Sequence, residues 1–328
     1  ILYELFFLSY TEKLWGRHPG EISADWGSQR VRGLSVWAVV RAALLRPFRH
    51  KAGETSLIEE FKYPKYGPGQ LWEAAAGEIE AKGGRILTGK TVTKLVAEDK
   101  KIKAVLCGQE RFDCDILISS MPLSQLVPAL DNVPEEILRA AKELPYRDFV
   151  TIGLLVNRLS LKNRTKIKTF GGLIPDCWIY VQDRGVKLGR IQLYNNWSPY
   201  MLSDPDNTVW LGLEYFCKEG DSLWQLTDEE FFRLAARELY DIGLVSDETL
   251  IMDRHIERVK KAYPAYFGSY CEMEKIRGWL SGYSNLYCIG RNGQHRYNNM
   301  DHSMLTAFRA LDCINGTGDK AAVWKVNA

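Results

Sequence analysis

The spacing of hydrophobic and polar positions divides the chain into segments of different texture. Residues 1–50 have a helical spacing that is interrupted at Gly- and Pro-containing stretches. A charged connection follows over 50–62, and a Gly- and Pro-rich loop over 63–69 then opens a helix predicted for 70–82. Short apolar runs after Gly84 predict a first group of strands. These strands are 85–87, 91–96, 101–107, 111–112 and 116–119.

Two helices and a second group of strands come next along the chain. The predicted helices are 123–130 and 134–144. The predicted strands are 149–156, 177–181, 186–194, 209–216 and 255–261. Their pattern suggests a separate sheet that is mostly antiparallel. Thr227 and Glu230 have the spacing of a capping box, ahead of an amphipathic helix that ends near Gly243, and a further helix is predicted over 271–279.

The last part of the chain has the order strand, glycine turn, polar loop (residues 291–299) and helix. An apolar run over 286–289 predicts a short buried strand that stops at Gly290. Asp301 and Ser303 stand ahead of a helical pattern over 304–314. Unpaired amide groups and the positive end of a helix dipole would face whatever lies above such a strand. The pattern therefore indicates an anion site in this region.

Composition limits the classes of function. The chain has 328 residues, of which 46% are hydrophobic and 26% charged, with a net charge of +2. This is typical of a globular protein and gives no electrostatic reason to expect nucleic-acid binding. We expect no membrane span and no signal peptide. The seven cysteines are odd in number and none forms a CxxC pair, which favours free thiols, a cytoplasmic location and no metal site.

Few motifs for known chemistry are present. No GxGxxG, Walker or GxSxG sequence occurs, and Gly67-Pro-Gly69 is more typical of a turn than of a phosphate loop. Arg190 lies within a predicted strand, where an arginine is usually exposed. Tyr263 and Tyr266 flank a proline as in a kinked edge strand. The loop from Arg291 to Tyr297 holds two Arg, one His and one Tyr directly before a helix, and it is the strongest candidate for a binding site.

The segment over 290–301, Gly-Arg-Asn-Gly-Gln-His-Arg-Tyr-Asn-Asn-Met-Asp, resembles the C-terminal flavin motif of UDP-galactopyranose mutases. These enzymes lie within the wider flavin amine oxidase and protoporphyrinogen oxidase superfamily. Residues 10–16 with 21–26 resemble part of the helical substrate domain, and 63–72 resembles the family's Tyr-Pro loop and helix. Residues 91–95 resemble the strand that holds adenine. The similarities run in the family's order over essentially the whole chain.

The resemblance implies FAD as the cofactor and gives roles to particular residues. The implied catalytic residues are Arg190, Tyr263 and Tyr297. The implied cofactor-binding residues are Val92, Gly290, Arg291, Asp301, His302, Ser303 and Met304. The implied substrate-binding residues are Arg296, Trp197 and Tyr266. In such an enzyme the flavin supplies the chemistry, and the protein supplies position and charge.

The resemblance also implies a mixed α/β (α+β) fold. It would contain part of an FAD/NAD(P)-binding Rossmann-like domain, interleaved with a substrate domain of helices and a mostly antiparallel sheet. The segments expected are 1–62 (helical, substrate domain), 63–144 (FAD domain), 145–284 (substrate-domain sheet and helices) and 285–328 (C-terminal part of the FAD domain). The family's N-terminal βαβ unit, with its GxGxxG, is absent, so we expect the chain to be a fragment. Asn298 and Asn299 also stand where mutases tend to have Tyr and Asp.

Three hypotheses on function follow. The first is a flavoprotein of the amine oxidase family that resembles the mutase and acts on a nucleotide-sugar-like or other small polar substrate. The second is a flavin oxidase or dehydrogenase that oxidises an amine or alcohol. The third is a non-catalytic fragment that does not retain FAD. Apolar sheet edges left exposed by the absent βαβ unit would favour self-association into a homo-oligomer.

Overall fold

A computed structural model describes residues 8–23 and 62–326. Most of the predicted helical segment over 1–50 and nearly all of the charged connection after it lie outside these residues. Within the first described stretch, helix α1 spans Ser9–Trp15. It ends at Gly16, whose φ of 64° is the left-handed conformation that glycine adopts most readily.

The described elements follow the predicted order closely. The strands are β1 Lys94–Glu98, β2 Lys101–Cys107, β3 Glu110–Asp113, β4 Leu117–Ser119, β5 Tyr146–Val156, β6 Trp178–Tyr180, β7 Arg190–Leu193, β8 Val209–Cys217, β9 Ile251–Pro264 and β10 Leu286–Cys288. The α-helices after α1 are α2 Gly69–Ala81, α3 Leu123–Leu126, α4 Glu135–Lys142, α5 Tyr194–Trp197, α6 Asp228–Asp241, α7 Met273–Ser281, α8 Gly290–Gly293, α9 Met300–Ile314 and α10 Lys320–Trp324.

The strands form three sheets. Strands β1, β2 and β3 make an antiparallel sheet, and β4 pairs with β10 in parallel. The five-stranded sheet has the order β6-β7-β8-β5-β9, and all its described pairs are antiparallel. The mixed α/β fold class and the separate antiparallel sheet are therefore confirmed.

The large sheet builds the main hydrophobic core with α6. Thr227 and Glu230 form the predicted capping box, in which the Thr227 amide donates to Glu230 Oε2 at 2.8 Å and the Glu230 amide donates to Thr227 Oγ1 at 3.3 Å. Below this start, Phe231, Ala235 and Leu239 follow a spacing of four residues and are buried in the core with β5, β7 and β8.

Asn285 joins the two smaller sheets. Its side chain accepts from the Ile102 amide at 2.8 Å and donates to the Ile102 carbonyl at 2.7 Å. It also donates to the Asp115 carbonyl at 2.6 Å, just before β4. Because Asn285 directly precedes β10, these bonds fix β2 and β4 relative to the strand that leads into the polar loop. The carboxyl ends of β4 and β10 therefore lie side by side, where open parallel sheets bind ligands.

Several predictions about elements differ from the structure. Of the predicted strand 186–194, only Arg190–Leu193 forms β7, and Tyr194 already begins α5. Residues 85–87 are not a strand, and Ile86 and Leu87 are each 43% exposed, since no described strand pairs with them. The last long helix begins at Met300 rather than at 304, so Asp301 and Ser303 lie inside its first turn. The segment predicted as a glycine turn and polar loop begins with the short helix α8 at Gly290.

Several apolar side chains on α9 are exposed along one stripe. Met304, Phe308 and Leu311 are spaced at helical intervals and are 36%, 56% and 46% exposed. Leu71 and Trp72 on α2 are 44% and 47% exposed, and α2 has no buried residue. Apolar surface of this kind promotes association.

We expect Phe308→Ser with Leu311→Ser to weaken self-association of the chain. If a dimer buries these two side chains, their removal should weaken the free energy of association by about 3 kcal/mol, which is roughly a 100-fold rise in the dissociation constant. Sedimentation equilibrium measures the dissociation constant. Tyr240→Ser is the control, since Tyr240 on α6 is exposed to a similar degree, 49%. An unchanged dissociation constant in the double variant would show that the α9 stripe is not the contact.

No helix among residues 8–23 and 62–326 combines the length and the apolar character needed to cross a membrane.

Candidate functional site

A buried ion pair lies at the centre of the candidate site. Arg190 begins β7 directly opposite Glu214 on β8, and both residues are 4% exposed. Arg190 Nε donates to Glu214 Oε2 at 2.9 Å, and Gln192 donates to the other carboxylate oxygen at 2.7 Å. The expectation that a strand arginine is exposed is therefore wrong here, because a carboxylate on the neighbouring strand neutralises it.

Tyr263 extends this pair towards β9. Arg190 donates from Nη2 to the Tyr263 hydroxyl at 2.5 Å, and its guanidinium carbon lies 4.6 Å from the ring centre of Trp178 and 5.1 Å from that of Phe216. Burial acts to lower the pKa of Arg190, but nearby groups including Tyr263 and Glu214 outweigh this and raise it. Burial also raises the pKa of Tyr263. The hydroxyl therefore stays protonated at neutral pH and keeps a proton to donate.

Tyr263 and Tyr297 form the next layer of the site. Their rings stack with centres 5.6 Å apart and an angle of 18° between the planes. The Arg291 guanidinium carbon lies 5.5 Å from the centre of the Tyr263 ring and 5.1 Å from that of Tyr297. The stack brings residues of β9, α8 and the polar loop into one group.

Backbone carbonyls fix the position of Arg291. Its Nε and Nη2 donate to the Asn298 carbonyl at 2.9 and 2.6 Å, and its Nη1 donates to the Ala262 carbonyl at 3.0 Å. Tyr297 is fixed separately, because its amide donates to the Tyr266 hydroxyl at 2.6 Å. Tyr266 is fully buried and lies behind the loop, so it supports Tyr297 from within.

His295 lies on the buried side of the polar loop. It is 1% exposed, and its Nε2 lies 3.1 Å from the Ala265 carbonyl. Its φ of 46° is in the left-handed region, which is uncommon outside glycine but which histidine adopts more often than most residues. Burial lowers the pKa of His295 to about 4. The imidazole is therefore neutral in the folded protein at neutral pH.

We expect this histidine to make the free energy of unfolding depend on pH. Between about pH 6.5 and pH 4 the unfolded chain binds a proton that the folded chain excludes, so stability falls as the pH is lowered through this window. The loss is about 3 kcal/mol in total. Urea unfolding across this range measures it, and His295→Gln should remove most of the slope. A slope that persists in His295→Gln would contradict the assignment.

The first turn of α9 contacts the same loop. Ser303 Oγ donates to Asn298 Oδ1 at 3.0 Å, and His302 Nδ1 accepts from the Asn299 amide at 3.4 Å. Asp301 is exposed, and Met304 is 36% exposed. The helix N-terminus therefore lies beside the carbonyl that holds Arg291.

Gly290 contributes a turn rather than a free donor. Its φ is 72°, in the left-handed region, and its amide donates to Thr306 Oγ1 at 2.8 Å. The amide is therefore already used within the protein. The chain needs glycine here because a side chain would be strained at this φ.

Three further residues predicted for the site, Trp197, Arg296 and Val92, lie outside the group formed by Arg190, Tyr263, Tyr297 and Arg291. Trp197 is part of an aromatic wall, with ring centres 6.3 Å from Trp178 and 5.1 Å from Tyr63. Arg296 is partly buried, and its amide donates to the Arg291 carbonyl at 2.9 Å. Val92 is partly buried, two residues before β1, where it packs against the core of the smaller sheets.

Sequence reasoning missed Glu214. Its signal was present, since it is the one charged residue in the apolar run over 209–217. A lone carboxylate in such a strand requires a buried partner. Gly293 was also missed, although a Cβ there would lie 2.7 Å from the Ser119 carbonyl oxygen.

Comparison with known proteins identifies the class of protein. The sequence pattern of the family described as flavin containing amine oxidoreductase matches residues 26–291. The fold is that of a flavoenzyme class, and FAD is the cofactor of that class. The chain belongs to the flavin containing amine oxidoreductase family. No curated protein sequence matches it.

Three solved structures illustrate the similarity of fold. Reduced UDP-galactopyranose mutase has a TM-score of 0.78 at 21% identity, covering 99% of this chain and 66% of that one. A protoporphyrinogen oxidase candidate from Exiguobacterium sp. 255-15 has 0.57 at 15%, covering 94% and 58%. A double mutant of putrescine oxidase has 0.51 at 14%, covering 76% and 53%. The chain thus spans less than two thirds of each of these proteins.

The residues around the polar loop fit a flavin. Asn292 Oδ1 and Asn298 Nδ2 are buried beside Arg291 and have no hydrogen-bond partner within the described residues. Buried polar atoms need partners. A flavin ring, which carries both N–H and carbonyl groups, offers a donor for the first and an acceptor for the second.

Proposed function

We propose that the site belongs to an FAD-dependent oxidoreductase that acts on a small polar substrate. The observation that carries the proposal is the meeting of Arg190, Tyr263, Tyr297 and Arg291 beside the first turn of α9. It combines fixed cations, a protonated phenol and aromatic faces next to a helix N-terminus. Such a combination suits a planar cofactor with an anionic edge and a small ligand.

The polar loop and α9 would hold the flavin. Arg291, Asn292 and Asn298 supply polar groups beside it, and the first turn of α9 supplies the positive end of the helix dipole. Val92 remains the candidate for an adenine contact through its backbone. When bound, the flavin supplies the capacity to accept a hydride or electrons, while the protein supplies binding, orientation and electrostatics.

The chain's own residues would orient the substrate through hydrogen bonds. The Tyr263 hydroxyl accepts from Arg190, so its own proton is free to point at a substrate oxygen or nitrogen. The high pKa of Tyr263 keeps this proton in place at neutral pH. Tyr297 is held by Tyr266 and would form an aromatic face of the pocket.

Charge favours a redox substrate over a nucleotide diphosphate. Glu214 neutralises Arg190, and Arg291 already donates to two backbone carbonyls. A diphosphate binds best to guanidinium groups whose N–H donors are free. Arg190 and Arg291 therefore offer few free donors to a diphosphate.

A second candidate is an isomerase of nucleotide sugars, with no net redox change. The aromatic wall of Tyr63, Trp178 and Trp197 favours it, because flat rings stack well on bases and sugar faces. Trp178 connects this wall to Arg190.

Anaerobic mixing of the FAD-loaded protein with candidate substrates separates the two functions. Primary amines and alcohols should bleach the flavin absorbance if the protein is an oxidoreductase. Conversion of UDP-galactopyranose only after reduction of the flavin, with no bleaching by any amine or alcohol, would contradict this proposal and support the isomerase. Tyr263→Phe should slow bleaching by roughly 10-fold, since it removes a hydrogen-bond donor that orients the substrate. Tyr240→Phe, on the exposed face of α6, is the matched control.

A further inference from the structure

A strongly basic loop connects β5 to β6. Five lysines and arginines lie within 158–168, and residues 157–175 contain no Asp or Glu. Arg158 pairs with Glu248 at 3.0 Å. The others are Lys162, Arg164, Lys166 and Lys168, and all are exposed. None of these four forms an ion pair with another residue that the structure describes. The basic loop therefore has a large unbalanced positive charge.

Exposed apolar side chains alternate with these cations. Ile167 is 61% exposed, Leu161 47% and Phe170 44%. Leu250, which is 64% exposed, lies beside them because its amide donates to Asn157 Oδ1 at 2.8 Å. A loop that bound its partner through charge alone would not need exposed apolar side chains. Their presence points to a partner with both negative charge and an apolar layer.

The tip of the basic loop is held in one shape. Asn163 donates from its side chain to the Ile167 carbonyl at 2.7 Å and accepts from the Thr165 amide at 2.9 Å. At the base, Leu159 and Leu173 are buried in the main core. The loop therefore presents Ile167 and its neighbouring lysines outward from a fixed base, and little ordering would be needed on binding.

The basic loop and the central ion pair of the candidate site lie at different levels of the large sheet. Glu214 lies opposite Thr151 in the middle of β5, and β5 ends at Val156, directly before the loop. The five residue steps between Thr151 and Val156 span about 17 Å. Tyr263 lies farther away, opposite Arg147 near the start of β5, so a partner bound at the tip of the loop would not cover it.

We propose that the basic loop docks the protein on the surface of a bilayer that contains anionic lipid. Cations attracted to lipid phosphates, together with apolar side chains that enter the boundary with the acyl chains, are the two elements of reversible membrane binding. Lysine stems also lie well along such a boundary. A cleft of about 430 Å³ beside the loop, lined by Arg158, Lys162 and also by Asp206, is large enough for a lipid headgroup.

Sedimentation of the full chain with vesicles tests this proposal. The protein should bind phosphatidylcholine vesicles that contain phosphatidylglycerol, should not bind phosphatidylcholine alone, and should dissociate in high salt. Lys166→Gln with Lys168→Gln should weaken binding by roughly 25-fold, about fivefold for each charge. Ile167→Ser should weaken binding without any change in charge.

Matched variants separate the loop from general surface effects. Lys101→Gln with Lys142→Gln removes the same charge elsewhere, and Tyr240→Ser removes an exposed aromatic side chain on α6; neither should change vesicle binding. Equal binding to both kinds of vesicle, or binding that the loop variants leave unchanged, would overturn the proposal. So would loop-dependent binding to heparin with no binding to vesicles, which would reassign the loop to soluble polyanions. All substituted side chains are exposed, so the variants are expected to fold.

Discussion

Replacing Glu214 with alanine should lower the free energy of unfolding by about 3–5 kcal/mol. The carboxylate is 4% exposed and binds both Arg190 and Gln192, so its removal leaves a buried guanidinium without its counter-charge. Urea denaturation followed by Trp fluorescence measures the change. The effect should be among the largest in the chain because burial prevents water from replacing the lost partner.

Two controls separate this effect from loss of packing. The double variant Arg190→Met with Glu214→Leu should regain most of the lost stability, because it removes both charges together. Asp241→Ala, at an exposed pair with Arg237, should change stability by no more than about 0.5 kcal/mol. A Glu214→Ala loss below about 1 kcal/mol would contradict the view that Glu214 balances Arg190.

Gly293→Ala should displace the polar loop from the sheet. A Cβ at this position would lie 2.7 Å from the Ser119 carbonyl oxygen and 3.2 Å from the Ser120 Cα, and both are backbone atoms that cannot turn away. We expect a loss of about 1–3 kcal/mol in the free energy of unfolding. We also expect weaker FAD uptake, since the loop carries Arg291. Thermal unfolding and FAD titration of the variant measure the two effects.

Gly278→Ala is the matched control for this prediction. Gly278 lies within α7, and a Cβ there would meet nothing within 4 Å. Alanine should be neutral or stabilise the helix by up to about 1 kcal/mol. Equal effects of the two substitutions would show that the close approach of α8 to β4 is not a constraint.

Local pattern was enough to predict most elements of the fold. The apolar run over 286–289 became β10, and Thr227 with Glu230 began α6 as their spacing indicates. These elements depend on neighbours in sequence. The prediction of a strand over 85–87 was wrong because a strand needs a partner, and no described strand pairs with these residues. Helix α8 was not predicted because its turn is set by contact with β4, and local propensity carries no information about that contact.

The candidate site was predicted only in part, for a similar reason. The resemblance to the mutases named Arg190, Tyr263, Tyr297 and Arg291, and these four lie in one group of contacts. It did not name Glu214, whose effect depends on the register of β7 against β8. Register brings distant residues together, and sequence spacing alone does not reveal which strand lies opposite.

Titration of the purified chain with FAD shows directly whether Arg291, the buried side-chain amides of Asn292 and Asn298 and the first turn of α9 form one wall of a flavin site. We expect saturable uptake, seen as quenched flavin fluorescence and a bound-flavin absorbance spectrum, and weaker uptake by Arg291→Met. A chain that stays colourless and quenches no flavin fluorescence at any FAD concentration would contradict this expectation.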